Sequence, residues 1–358
     1  MYYLYPDYYK KFHCIADKCI DTCCAEWQIV IDDESLEKYR NYKGDYQQTL
    51  CQNIDWEEGV FGHNKRGKCA FLRDDDLCDM YIHMGEDSLC TTCREYPRHT
   101  EEFENLREIT LSLSCPEVAK IVMNTTEPIT FVTKEDETDE CYEEFDYFLF
   151  SELEDVREEM IRIMQDRNVN LRDRIDKILQ ISVSVQRHYD AGSLISWNEF
   201  EESDRVCVEN EYELFERLFL FLFEEFEILY PQWAEVLVES RLFLFGEGKK
   251  VFEQNKEEFE TWWNTSNLTP LDIVLEQLVV YFISVYLLGA VYDENILGKV
   301  DACIGHTIEI YLLLLGRWLK HGELAMDDVI EVVYRYSREI EHSDENLERA
   351  EMLNWFAR

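Results

Sequence analysis

Ten of the chain's thirteen cysteines lie in its first 115 residues, as Cys14, Cys19, Cys23, Cys24, Cys51, Cys69, Cys78, Cys90, Cys93 and Cys115. The first four crowd into eleven residues, closer than four independent structural thiols need to be. Thiolates so spaced bind zinc or iron–sulfur in preference to magnesium or calcium. Cys90-x-x-Cys93 has knuckle spacing, and with Cys69, Cys78 and Cys115 it exceeds what one four-ligand site requires. In a helix, Cys19 and Cys23 share a face and Cys24 points about 100° away. Either that segment is a loop, or Cys23 and Cys24 serve different tasks. Cys51, Cys141, Cys207 and Cys303 read as buried small hydrophobes.

Composition sets the frame for this chemistry. The 358 residues are 46% hydrophobic and 14% aromatic, ample for a core, and carry a formal charge of -41. That charge opposes phosphate backbones, so no nucleic-acid partner is expected, and it attracts basic, lysine-bearing segments. Nothing at Met1–Lys11 resembles a signal peptide, which leads to a cytoplasmic expectation; there a dense cysteine array favours metal over disulfides. The longest uncharged apolar run, Leu278–Tyr292, has 15 residues. A bilayer span needs about 18 to 20, so the run reads as a core helix and no membrane partner is expected.

The elements that position the cysteines are short. Trp27–Asp32 suits a strand, and Asp33–Arg40 a capped helix ending near Gly44. Cys69–Cys78 resembles a hairpin with a thiol on each arm. Ile109–Ser114 alternates apolar and polar residues, which puts Ile109, Leu111 and Leu113 on one strand face. Pro116 then fits the first position of a helix running toward Met123, so Cys115 falls at the N-cap, where the helix dipole favours a thiolate. The charged stretch Thr133–Glu140 marks a boundary.

Beyond it the pattern is helical. Phe145, Phe148, Leu149 and Leu153 recur three and four apart, as do Leu214, Leu218, Phe221 and Leu222. Thr269-Pro270 starts a helix, Ile308–Leu319 forms another, and Ser343 begins the last. The expected fold is mainly α. A small cysteine-rich, metal-binding α+β domain (1–132) precedes an all-α helical domain (141–358) of about eight helices.

Several chemistries are disfavoured. A C-x3-C-x2-C radical motif fails because Glu26 occupies the third position. Gly246-Glu-Gly248 lies between helical segments, so no Rossmann-type loop is present. No P-loop or HExxH motif occurs.

Four blocks carry a resemblance: Phe12-His-Cys14-x4-Cys19-x3-Cys23-Cys24-x2-Trp27, Cys69-Ala-Phe-Leu-x4-Leu-Cys78, Thr92-Cys93-Arg94-Glu95-Tyr96-Pro97-Arg98, and Leu111-Ser-Leu-Ser-Cys115-Pro-Glu-Val-Ala119. Together they resemble the flagellin lysine N-methylase family over about the first 120 residues. The resemblance implies methyl transfer from S-adenosylmethionine to flagellin lysines. It also implies an iron–sulfur cluster, of the 4Fe-4S type, or zinc. Its metal-ligand pattern falls on Cys14, Cys19, Cys23, Cys24, Cys69, Cys78, Cys93 and Cys115, with Cys90 fitting less closely.

The attacking amine must be neutral, and a free lysine titrates near about 10.4. Tyr96 or Glu95 is the candidate proton acceptor, and Arg94 and Arg98 are candidates for pairing with the donor's carboxylate. The alternative reading is a non-catalytic zinc- or iron-binding module whose helical domain recruits a partner.

Overall fold

The computed structural model describes residues 1–15, 18–24, 27–64, 67–75, 77–137, 146–193, 210–353 and 355–356. In the first part of the chain β1 (Tyr2–Pro6) is followed by α1 (Asp33–Asn41), α2 (Gln47–Asn53), β2 (Ile54–Asp55), β3 (Val60–Phe61), α3 (Asp79–Met84) and α4 (Thr91–Glu95). Then come β4 (Arg98–Phe103), β5 (Leu106–Leu111), α5 (Pro116–Met123) and β6 (Phe131–Glu135). The rest is helical: α6 (Tyr147–Met164), α7 (Leu171–Asp190), α8 (Glu211–Glu224), α9 (Pro231–Phe245) and α10 (Lys249–Thr265). It closes with α11 (Leu271–Tyr286), α12 (Ala290–Asp293), α13 (Ile296–His321), α14 (Met326–Glu341) and α15 (Asp344–Glu351). The fold is mainly α.

Four strands form one sheet in the order β4-β5-β1-β6. β4 and β5 are an antiparallel hairpin, β1 runs parallel to β5, and β6 is antiparallel to β1. The sheet and α5 share a continuous apolar core with the helices, from Phe12, Phe103, Leu111 and Val118 through Leu153 and Val280 to Leu314 and Tyr336. A second, smaller core gathers Ile29, Ile31, Tyr39, Leu50, Phe61, Phe71, Met80 and Cys90. The apolar packing therefore does not part at the boundary expected near residue 132.

α13 is the central helix, with α7, α9, α11, α8, α14 and α15 packed around it. It and the run Leu271–Asp293 are long and apolar enough to cross a membrane, and both are mostly buried inside the protein. A bidentate pair fastens sheet to helices: Arg157 of α6 donates to both oxygens of Glu108 in β5 at 2.6 and 2.7 Å.

Several sequence expectations shift. Trp27–Asp32 forms no strand; it makes a single β-bridge, at Val30 opposite Val60. Thr133–Glu135 lies inside β6, because β1 supplies a ladder partner for each of these residues. Thr269 caps no helix; its hydroxyl donates to the Met123 carbonyl at 2.9 Å, and α11 begins at Leu271. Ile308–Leu319 is part of the longer α13. Phe148 points to solvent while Leu149 and Leu153 are buried. Cys303 is buried, but Cys51 is exposed on α2. Phe145, Cys141 and Cys207 lie outside the described residues.

Candidate active site

α4 ends at Glu95, and Tyr96 turns the chain through a cis Tyr96–Pro97 peptide bond into β4. This turn, the end of β5, and helices α11, α14 and α15 enclose a cavity of about 560 Å³. Its walls are rich in rings, with Trp27, Tyr96, Tyr281, Tyr286 and Tyr292 all lining it. Its acids are Glu95, Glu101, Glu341 and Asp344, against the cations Arg98 and Lys299. Lys299 is already paired with Asp293 and Glu351, each at 2.8 Å.

Glu341, the last residue of α14, lies deepest among these acids. Ser112 donates to it at 2.5 Å and Tyr281 at 3.0 and 3.1 Å, and Ser337 donates from the preceding helical turn. Proton directions follow from the network. The Tyr281 oxygen accepts from the Leu113 amide at 3.1 Å and the Ser112 oxygen from the Ser114 amide at 3.1 Å, so both hydroxyl protons face Glu341. Tyr96 joins this chain: its hydroxyl is 3.0 Å from Ser114 Oγ, which is 2.6 Å from Ser112 Oγ.

Burial raises the proton affinity of Glu341, while its three hydroxyl donors and nearby His99 act in the opposite direction. Burial also pushes the phenols of Tyr96, Tyr281 and Tyr286 well up, so they stay protonated and serve as donors. His342 stacks on Trp27 at 4.7 Å, and burial with the neighbouring Arg338 lowers its pKa to about 3. It is a neutral imidazole, and its Nδ1 has no partner among the described residues.

The other sequence candidates are placed less deeply. Glu95 is at the cavity edge, half exposed and paired with Arg94 at 3.2 Å. Arg94 lies outside the lining. Arg98 lines the cavity; its Nε donates to the Tyr9 hydroxyl at 3.1 Å and its guanidinium lies over Tyr9 and Phe12.

The cysteines gather in two adjacent groups. Buried Cys115 lies near half-buried Cys19 and exposed Cys23, Cys14 is near Cys19, and Cys23 also neighbours Cys69 and Cys78 of the second group. Cys69, Cys78, Cys90, Cys93 and Cys24 form the other, with the Cys69 amide bonded to the Cys24 carbonyl at 2.8 Å. The Cys19–Cys24 segment is a loop rather than a helix, and it brings Cys23 Sγ to 3.9 Å from Cys24 Sγ. Helical geometry therefore does not separate this pair.

Burial drives the Cys69 thiol up to about 11 and that of Cys115 up to about 12. At Cys115 desolvation outweighs the helix N-terminus, contrary to the thiolate expected from the dipole alone. Cys90 and Cys93 share a hydrogen bond that lowers the first and raises the second. Among the described residues, no three His, Cys, Asp or Glu side chains converge closely enough to hold a single ion. Thiol donors of this kind suit either zinc or an iron–sulfur cluster.

Arg338, which the motifs do not reveal, ties the thiol groups to the helices. Its Nε donates to the Ser114 carbonyl at 3.0 Å and its Nη1 to Asp21 at 2.9 Å. Those contacts hold the residue before Cys115 beside the loop that carries Cys19 and Cys23. Glu341 and Arg338 were invisible as site residues because both lie on α14, far in sequence from the cysteine blocks.

Comparison with known proteins adds the family. A model described as the FliB lysine N-methylase C-terminal domain matches residues 157–356. The lysine-N-methylase of Salmonella typhimurium is 30% identical over 128 residues, covering 33% of this chain and 32% of that protein. The flagellar biosynthetic protein FliU of Salmonella muenchen is 30% identical over 128 residues, covering 33% of this chain and 75% of that protein. The match thus spans about a third of the length of the curated lysine-N-methylases. No solved structure matches the chain.

Proposed function

The chain belongs to the FliB lysine N-methylase family, and on that premise we propose that it is a protein-lysine N-methyltransferase acting on flagellin in the cytoplasm. The observation that carries this reading is the acid-rich, ring-walled cavity that holds Glu95, Tyr96 and Arg98 beside Glu341. Aromatic faces and carboxylates attract an alkylammonium, and the cavity is ample for a lysine side chain. The charge of -41 favours approach of lysine-bearing partners.

S-adenosylmethionine, when bound, would supply an electrophilic methyl group on a sulfonium. Arg98, on the cavity wall, would pair with its carboxylate. Glu95 meets the substrate at the mouth, with Arg94 as its ion-pair partner. Tyr96 holds its proton at Oη and passes hydrogen bonding inward through Ser114 and Ser112. The rings keep water from the amine. Of the thiols, Cys14, Cys19, Cys23 and Cys115, or Cys24, Cys69, Cys78 and Cys93, would hold an iron–sulfur cluster. Such a cluster would cross-link segments that lack regular structure of their own.

The test is incubation of anaerobically purified protein with flagellin and S-adenosylmethionine, followed by peptide mass spectrometry. Lysine peptides should gain mass in steps of one methylene. Unchanged flagellin, with the metal content intact, overturns the reading.

A further inference from the structure

Several inward-turned carboxylates among the described residues have cationic partners, while buried Asp301 accepts the Phe356 backbone amide. Glu108 pairs with Arg157, Glu276 with Arg167 and Arg174, and Glu351 with Lys299. Glu339 instead accepts the backbone amides of Leu229 and Tyr230, each at 2.9 Å. Glu341 differs. Its donors are three neutral hydroxyls, from Ser112, Tyr281 and Ser337, and among the described residues no lysine or arginine pairs with it. It is also the one of these acids that lines the cavity.

Hydroxyl dipoles orient and partly solvate an anion without neutralising it. Two carboxylate oxygens offer about four lone-pair sites, so three donors leave room for a fourth. The rings of Trp27, Tyr281 and Tyr286 line the same cavity as Glu341. The arrangement suits a slender cation that carries N–H donors and can be flanked by rings.

We propose that Glu341 is the residue that receives the substrate's ε-ammonium and accepts its proton, an assignment that rests on the lysine-methylase reading. One N–H bond of the ammonium breaks, its electron pair remains on nitrogen as the lone pair, and the proton joins a Glu341 oxygen to give the neutral acid. Because burial raises the proton affinity of Glu341, the product acid is stabilised where it forms.

The experiment measures, by fluorescence anisotropy, the affinity of a flagellin peptide carrying one lysine and of the same peptide with norleucine in its place. A hydrogen bond to a charged group is stronger than a neutral one, and the wild-type protein should prefer lysine by about 10- to 100-fold. Glu341→Gln should abolish the preference and leave the norleucine affinity unchanged, and Glu341→Asp should restore part of it. Retention of the preference in Glu341→Gln overturns the proposal, whether or not methyl transfer occurs. Absence of any preference in the wild type also overturns it, and that arm needs no variant to fold. A preference that depends on Glu341, in a protein that transfers no methyl group, upholds the ammonium site and contradicts the methylase reading.

Discussion

The Ser112 hydroxyl reaches the Glu341 carboxylate at 2.5 Å across 229 residues of sequence. That contact joins the end of β5 to the end of α14. It also continues through Ser114 to Tyr96, so the cysteine-bearing part of the chain and the helices share one hydrogen-bonded line at the cavity.

Breaking that line at its outer end should slow turnover without emptying the site. Tyr96→Phe removes the hydroxyl beside Ser114 and keeps the ring that lines the cavity. We expect kcat for methyl transfer to fall about tenfold, at the low edge of what positioned proton-transfer groups contribute. KM for flagellin should change little in steady-state kinetics. A rise in KM with kcat intact would assign Tyr96 to binding alone.

The bidentate Arg157–Glu108 pair is nearly excluded from water, with side-chain exposures of 9% and 6%. Removing one partner strands the other charge. Glu108→Ala or Arg157→Ala should each cost about 3–5 kcal/mol, read from urea denaturation. The double variant should cost less than the two losses combined. Simple additivity would show that the pair does not act as a unit.

Much of this architecture was legible in local signals. Cys115-Pro116 announced α5, Ser343 announced α15, and the apolar spacing of Leu214, Leu218 and Leu222 announced α8. These features depend on residues within a turn or two of one another. What was not legible depended on tertiary partners. Thr133–Glu135 reads as a charged linker until β1 is beside it, and the Thr269 hydroxyl reads as a cap until Met123 is within reach. The site divided in the same way. The Cys93-Arg-Glu-Tyr-Pro-Arg98 block pointed to Tyr96, Glu95 and Arg98, which the structure brings to one cavity. Glu341 carries no motif, because its character comes from Ser112 and Tyr281, which only folding delivers.

Asp301 of α13 is fully buried; one oxygen accepts from the Phe356 amide at 3.2 Å and the other has no partner among the described residues. Burial raises its pKa from 3.8 to about 7. The folded protein therefore keeps a proton that the unfolded chain loses above about pH 4, and this group's contribution to stability falls as pH rises from about 4 to about 7. Asp301→Asn should be more stable than wild type at pH 8, by up to a few kcal/mol, since each pH unit across that window is worth roughly 1.4 kcal/mol. The difference should vanish toward pH 4. Denaturation of both proteins across that range checks it, and an equal difference at all pH values would refute the buried-carboxyl account.

If the thiol groups hold an iron–sulfur cluster, anaerobically purified protein should contain iron and absorb near about 400 nm, with sulfur ligation of the kind that Cys thiolates provide. Cys115→Ser should lower the iron content where the first thiol set holds it and Cys69→Ser where the second does, and Cys51→Ser, on an exposed face of α2, should leave it unchanged. Loss of iron in the Cys51 variant alone would contradict the grouping of thiols described above.

The central claim, that lysine methylation takes place in the cavity between α4, β5, α11 and α14, is tested most directly by amide hydrogen exchange. The probe is a flagellin peptide whose lysine nitrogen is joined covalently to an S-adenosylmethionine analogue. The account predicts slowed exchange in 92–114, 281–292 and 341–347 on binding, and loss of that protection in Glu341→Gln. Protection confined to other helices, with these three segments unchanged, would contradict it.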